Sequence, residues 1–193
     1  TLAEAKEHLR VTHANDDTLI TSLIEAARQM CEVETRRQFC LARYEMRLDE
    51  FPSDLGGRIT IPRPPLWTVE SITYIDGDGN LQTFGPTRYV VDKNSEPGRV
   101  MPAYNDNWPN TRSEMGAVRL MFLAGYTPYE VGSPTDYATN VPRALKQAIL
   151  LTVGDLYSNT ESVIAGPGAA VAILPTAKVL LRHHLIDDFH LSS

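Results

Sequence analysis

The sequence predicts an α+β fold: a helical core of about four helices, with a small antiparallel β module inserted between helices 2 and 3. Three observations predict it. A long amphipathic segment near the N-terminus places its apolar residues at helical spacing. From about Ala42 to Tyr126 the pattern changes to short alternating runs broken by Gly, Pro and Asn. From Asn140 onward helical spacing returns. The predicted organisation is a helical core from 1–40 and 138–185, an inserted β module at 41–126 and a C-terminal tail at 186–193.

Leu2, Ala5 and Leu9 recur at helical spacing and predict a short first helix. His13-Ala14-Asn15-Asp16-Asp17 breaks it and offers a cap and first-turn acids to the next helix. That helix is expected from about Asp17 to Arg37. Its stripe is Leu19, Ile20, Leu23, Ile24, Ala27, Met30 and Cys31, with Glu25, Arg28, Glu32 and Arg36 elsewhere.

In the middle, Tyr44, Met46 and Leu48 alternate with Glu45, Arg47 and Asp49, the mark of a half-buried strand. Short strands follow at 58–61, 69–75, 81–84, 89–92, 98–101 and 117–124. Pro62-Arg63-Pro64-Pro65 cannot donate ladder hydrogen bonds and reads as an edge or crossover. Asp76-Gly77-Asp78-Gly79-Asn80 reads as a hairpin turn. Pro142 fits the first turn of a third helix with the stripe Leu145, Ala148, Ile149, Val153, Leu156 and Tyr157. The small-residue stretch Ala165 to Ala170 precedes a last short helix, about Pro175 to Leu185.

Composition excludes several functions. The formal charge is −6, opposite to the basic surface that gripping DNA phosphates requires. An acidic wall past which DNA slides stays compatible. No apolar run approaches the roughly 20 residues of a membrane span, and Thr1 to Lys6 has no apolar signal region. The two cysteines, Cys31 and Cys40, are too few for a disulfide framework and fit a reduced setting as small apolar packers.

No motif reaches an active site, so no catalytic, cofactor-binding or metal residue is expected. The Asp76 turn resembles a calcium loop, but Thr87 stands where the twelfth-position Glu is needed. His183, His184, Asp187 and Asp188 lack a third ligand fixed by spacing and read as a solvated or interface helix end. Gly166-Pro167-Gly168 is not followed by the Lys-Ser/Thr of a phosphate loop. Glu45, Asp49 and Glu50 read as a strand face and its turn.

The ordered segments resemble the head–tail connector (adaptor, head-completion) proteins of long-tailed bacteriophages. Residues 2–11 with Asp16-Asp17 and Leu19-Ile20-Leu23-Ile24 resemble their opening. Ile61-Pro62-Arg63-Pro64-Pro65-Leu66 with Val69 to Asp76 resembles the β insertion of the larger members. Gly116-Ala117-Val118 through Tyr126 resembles its closing strand, and Val141 to Leu151 with Asp155-Leu156-Tyr157 the third helix. The resemblance implies a non-catalytic virion protein, assembled in the host cytoplasm and seated at the neck. It implies a dodecameric ring under the portal protein, adjoining stopper or tail-terminator proteins and extending the DNA channel without reading sequence. No cofactor and no membrane are implied. The segment after Glu161 is expected to be a docking arm, ordered only on assembly, that meets portal or neighbour through Leu174, Val179, Leu180, Leu181, Phe189 and Leu191. The alternative is a non-catalytic ligand- or carbohydrate-binding β module with helical flanks, for which Trp67, Trp108 and Tyr104 would have to share a pocket. A nuclease is disfavoured by the missing carboxylate and histidine motifs.

Overall fold

The computed structural model describes residues 1–53, 57–126, 140–159 and 173–186. They form four α-helices, α1 (Leu2–Leu9), α2 (Asp17–Thr35), α3 (Arg143–Ser158) and α4 (Pro175–Leu181), with short 3-10 turns at Pro86–Arg88 and Arg182–His184. Seven strands lie between α2 and α3: β1 (Ala42–Leu48), β2 (Ile59–Ile61), β3 (Leu66–Ile75), β4 (Leu81–Phe84), β5 (Tyr89–Asp92), β6 (Gly98–Pro102) and β7 (Val118–Ala124).

The expected single small β module is corrected. The strands divide into two antiparallel sheets, one of four strands ordered β1-β7-β3-β4 and one of three ordered β2-β6-β5. Strands follow α2 and resume after the Pro86–Arg88 turn. Alternation marks a strand but not its partner, and here the partners are distant in sequence. β2 runs into the proline segment and pairs instead with β6, Ile59 opposite Val100 and Ile61 opposite Gly98. The Asp76 hairpin forms as expected, joining β3 to β4 with Ile75 opposite Leu81.

The described parts of Thr1–Arg36 and Pro128–Leu185 make one compact helical unit, and those of Arg37–Thr127 a β unit. In the helical unit the stripes of α2 and α3 pack on each other. Ile20, Ala27 and Val153 are fully buried with Ala5 of α1, bordered by Leu23, Ile24, Ile149 and Leu156. α1 opens with a capping box that the sequence reading missed: the Thr1 hydroxyl accepts from Glu4 N–H, and the Glu4 carboxylate reaches back. The His13–Asp17 stretch was expected to supply a cap for α2; Asp16 stands at that position and makes no such bond. It accepts from the Tyr157 hydroxyl at 2.5 Å, tying the end of α3 to the start of α2. Lys6 meets Asp17 at 2.5 Å.

The β unit has its own core. Ile61, Ile72, Val100, Val118, Leu120 and Phe122 are almost wholly buried, with Phe84 and Phe51 beside them. Leu66 closes against Gly98, where an added Cβ would lie 2.7 Å from the Leu66 side chain.

Leu145 is fully buried in the helical unit. Leu145→Ala is expected to lower stability by about 2–5 kcal/mol, read from urea unfolding. Cys31 is buried on α2 beside Thr152 of α3, and burial pushes its thiol up to about 11. Alkylation requires the thiolate. Native protein treated with iodoacetamide at pH 8 is therefore expected to label at exposed Cys40 and to label at Cys31 only on unfolding, as mass spectrometry would read.

Candidate functional site

The residues expected to dock belong to α4 and the chain after it. Pro175 starts the helix after Leu174. One face points inward: Ile173, Ala177 and Leu181 are buried, and α4 packs on α3 and α2. Leu174 and Leu180 are half-buried and Val179 is 67% exposed. Spacing explains the division, since 173, 177 and 181 recur every four residues while 179 falls on the opposite side. Phe189, Leu191, Asp187, Asp188 and the Ala165–Ala170 stretch lie outside the described residues.

α4 is thus packed in the single chain, where the sequence reading expected an arm that orders only on docking. Leu181 serves the helical core and Val179 faces outward. Ile173 was missed, because it sits in the continuous apolar run from Ala169 to Leu174, which carries no helical period. Beside α4 runs a shallow groove of about 510 Å³ lined by Ala26, Met30 and Val33 of α2 with Ile173 and Lys178. Val33 is 76% exposed there, and Lys178 pairs with Glu34 at 3.7 Å.

The β unit carries the larger concavity, an open groove of about 920 Å³ bordered by Phe51, Val90, Met101, Tyr104, Asp106 and Trp108. Of the aromatics named for a ligand module, Trp108 and Tyr104 border it. Trp108 stacks on Phe51 with ring centroids 4.6 Å apart, lies 5.0 Å from Phe84, and donates its ring N–H to the Gly57 carbonyl. It is a packing residue. Tyr104 is almost fully exposed on the rim, and Trp67 does not border the groove. The turn bearing Tyr104 is held by Arg88, which lies 4.3 Å over the Phe84 ring and bonds both Asp106 oxygens at 2.9 and 2.7 Å.

The remaining polar candidates are absorbed locally. Asp76 accepts from the Gln82 amide and from backbone Asn80 and Asp78, which pulls its carboxyl below the usual range. This is the bonding of a turn. Glu45 bonds Arg47, and Asp49 accepts from Gly116 N–H at 2.8 Å. Among the described residues no cluster of three His, Cys, Asp or Glu is arranged to hold a metal ion. No described helix is long and apolar enough to cross a membrane. Arg37, at 6% exposed, meets Glu96 at 2.5 Å. Burial opposes its charge, and Glu96 with Tyr126 outweighs that effect. No sequence pattern marked this pair.

If α4 is part of the helical core, ending the chain after Asn159 removes three buried apolar side chains and is expected to lower the stability of the helical unit by about 3 kcal/mol or more. Val179→Asp, on the outward side, is expected to stay within about 0.5 kcal/mol of the parent. Urea titrations followed by far-UV circular dichroism compare the two; equal stability of parent and truncated chain would show that α4 contributes nothing.

Comparison with known proteins supports the resemblance seen in the sequence. Residues 1–72 match the family model of phage gp6-like head-tail connector proteins. No curated protein sequence is significantly similar to the chain. Among solved structures, the fold is similar to a chain in the virion of a native gene transfer agent (GTA) particle. That match has a TM-score of 0.71 at 20% identity and covers 95% of this chain and 88% of the other. A chain in the neck of the empty particle, computed with C6 symmetry, matches equally. One in the neck of the native particle, computed with C12 symmetry, gives 0.68 at 21% identity, covering 95% and 87%.

Proposed function

We propose that the chain is a virion structural protein, a subunit of the head–tail connector ring that docks under the portal and extends the DNA channel toward the tail. The observation that carries this is the match of residues 1–72 to the head-tail connector family, which spans α1, α2 and the first strands. The likeness of fold over 95% of the chain to a component of a GTA neck supports it. The C12 symmetry of one such neck supports a dodecameric ring for this chain as well. On this reading its partners are the portal, other copies of itself, and stopper or tail-terminator proteins at the neck. It carries no catalytic centre, and its domains are the helical core at 1–40 and 138–185 and the β insertion at 41–126. Genomic DNA passes through without being read. The acidic balance of −6 suits a wall that must not hold phosphates.

The packing of α4 refines the docking part of the proposal. Val179 on its outer side, with half-buried Leu180 at its flank and Leu174 at its start, are the described residues proposed to meet a portal or a neighbouring subunit. Phe189 and Leu191, outside the described residues, stay in the proposed docking set.

Negative-stain imaging of the purified protein, alone and mixed with portal, tests the reading. Rings seated on portal are expected, and Val179→Asp is expected to reduce their occupancy while leaving the subunit folded. A parent protein that never associates with portal would overturn the reading.

A further inference from the structure

β1 is the outer strand of the four-stranded sheet and, among the described residues, pairs only with β7. Its other side is an open row of backbone donors and acceptors, the usual template for adding a strand. Proteins often blunt such edges with charged side chains, lysine above all. Here the charges alternate. On the outward face run Arg43, Glu45, Arg47 and, just past the strand, Asp49: plus, minus, plus, minus. The other face carries Tyr44, Met46 and Leu48, all half-buried against the β core.

We propose that the β1 edge binds the β1 edge of a second copy of this chain, antiparallel, about a two-fold axis through Met46. Antiparallel pairing that keeps the buried faces together must set odd residues opposite odd ones. With the axis at Met46, Glu45 falls opposite Arg47 of the second copy, and Arg47 opposite its Glu45. Arg43 falls opposite Asp49, and Tyr44 opposite Leu48. Each outward charge thereby faces an opposite one, Arg43 in addition to the Glu70 carboxylate it already bonds at 2.7 Å, and apolar residues continue the buried face. With the axis one residue earlier, at Glu45, Arg43 meets Arg47 and Glu45 meets itself, so like charges oppose. The charge pattern thus selects the register.

A second observation points the same way. Within the sheet Arg47 lies directly opposite Arg119 of β7, a like-charge pair that weakens a ladder. Its relief in the single chain is the bond to Glu45 on its own strand. A second copy adds another carboxylate on the open side of Arg47.

The contact goes beyond the ring reading and does not depend on it. A two-fold contact is isologous, whereas neighbours around a cyclic ring meet head to tail. It would therefore hold subunits outside the ring. One strand pair buries less than the roughly 1,200 Å² of a standard interface, so the dimer should dissociate on dilution.

Sedimentation equilibrium of the full chain over a concentration series tests this. The mass is expected to rise toward twice the 21.5 kDa of one chain. Glu45→Lys sets a lysine against Arg47 at both symmetric positions and is expected to weaken dimerisation about tenfold. The exchanged variant Glu45→Lys/Arg47→Glu restores opposite charges and is expected to recover it, with circular dichroism confirming that both variants fold. A parent that stays monomeric throughout the series would overturn the proposal. So would an association that Glu45→Lys leaves unchanged, or one that the exchanged variant fails to recover.

Discussion

The β unit depends on the insertion of β7 between β1 and β3. It is the last of the described strands, yet it occupies the interior of the larger sheet. Its register places Tyr44 of β1 and Val69 of β3 on either side of Phe122. Val118, Leu120, Phe122 and Ala124 are all buried, so one face of this strand supplies much of the core. Both ends are pinned. Gly116 enters at φ +68 and donates its N–H to Asp49. Gly125 leaves at φ +124 and donates to the Pro65 carbonyl, with the Cys40 backbone so near that an added Cβ would lie 2.6 Å from its oxygen. Until β7 docks, β1 has no partner in the larger sheet, and closing so long a loop costs chain entropy before any contact returns it.

The aromatic cluster has the same logic on a smaller scale. Phe84 ends the hairpin strand β4, and Phe51 and Trp108 arrive from segments outside any strand. Their rings fill space that strands as short as β2 and β5 cannot fill alone. The segment between β6 and β7 is therefore held by half-buried Trp108, with Arg88 clamping its beginning through Asp106. One face of the Trp108 ring is spent on Phe51 and its N–H on Gly57.

Local pattern carried much of the fold. Helical spacing placed α1 at Leu2–Leu9, and alternation with turn residues placed β4 and β5 at their observed bounds. These features are set by residues a few positions apart, which is why they can be read. The division into two sheets was not legible. It depends on Ile59 meeting Val100 and on the proline segment diverting the chain, and neither leaves a periodic trace. The Arg37–Glu96 pair was hidden for the same reason. For the docking residues, the sequence showed that α4 is apolar but not which side faces inward. That followed only when Ile173, Ala177 and Leu181 were seen on one side and Val179 on the other.

Charge placement completes the connection between fold and proposed role. Many of the described cations are matched one by one with nearby carboxylates: Arg28 with Glu32 at 2.9 Å, Arg43 with Glu70 at 2.7 Å, Arg88 with Asp106 at 2.7 Å, Arg99 with Asp92 at 2.5 Å. Exposed pairs of this kind add little to stability. Their consequence is for the field outside the protein. A polyanion is held by clustered cations whose charge is available to its phosphates. A guanidinium already bonded to a carboxylate offers little net charge, and an excess of six acids remains over the whole chain. On the proposed reading the surface neither grips nor reads DNA. Pairing its arginines locally allows the protein to use them for packing and turn-holding without creating such a grip.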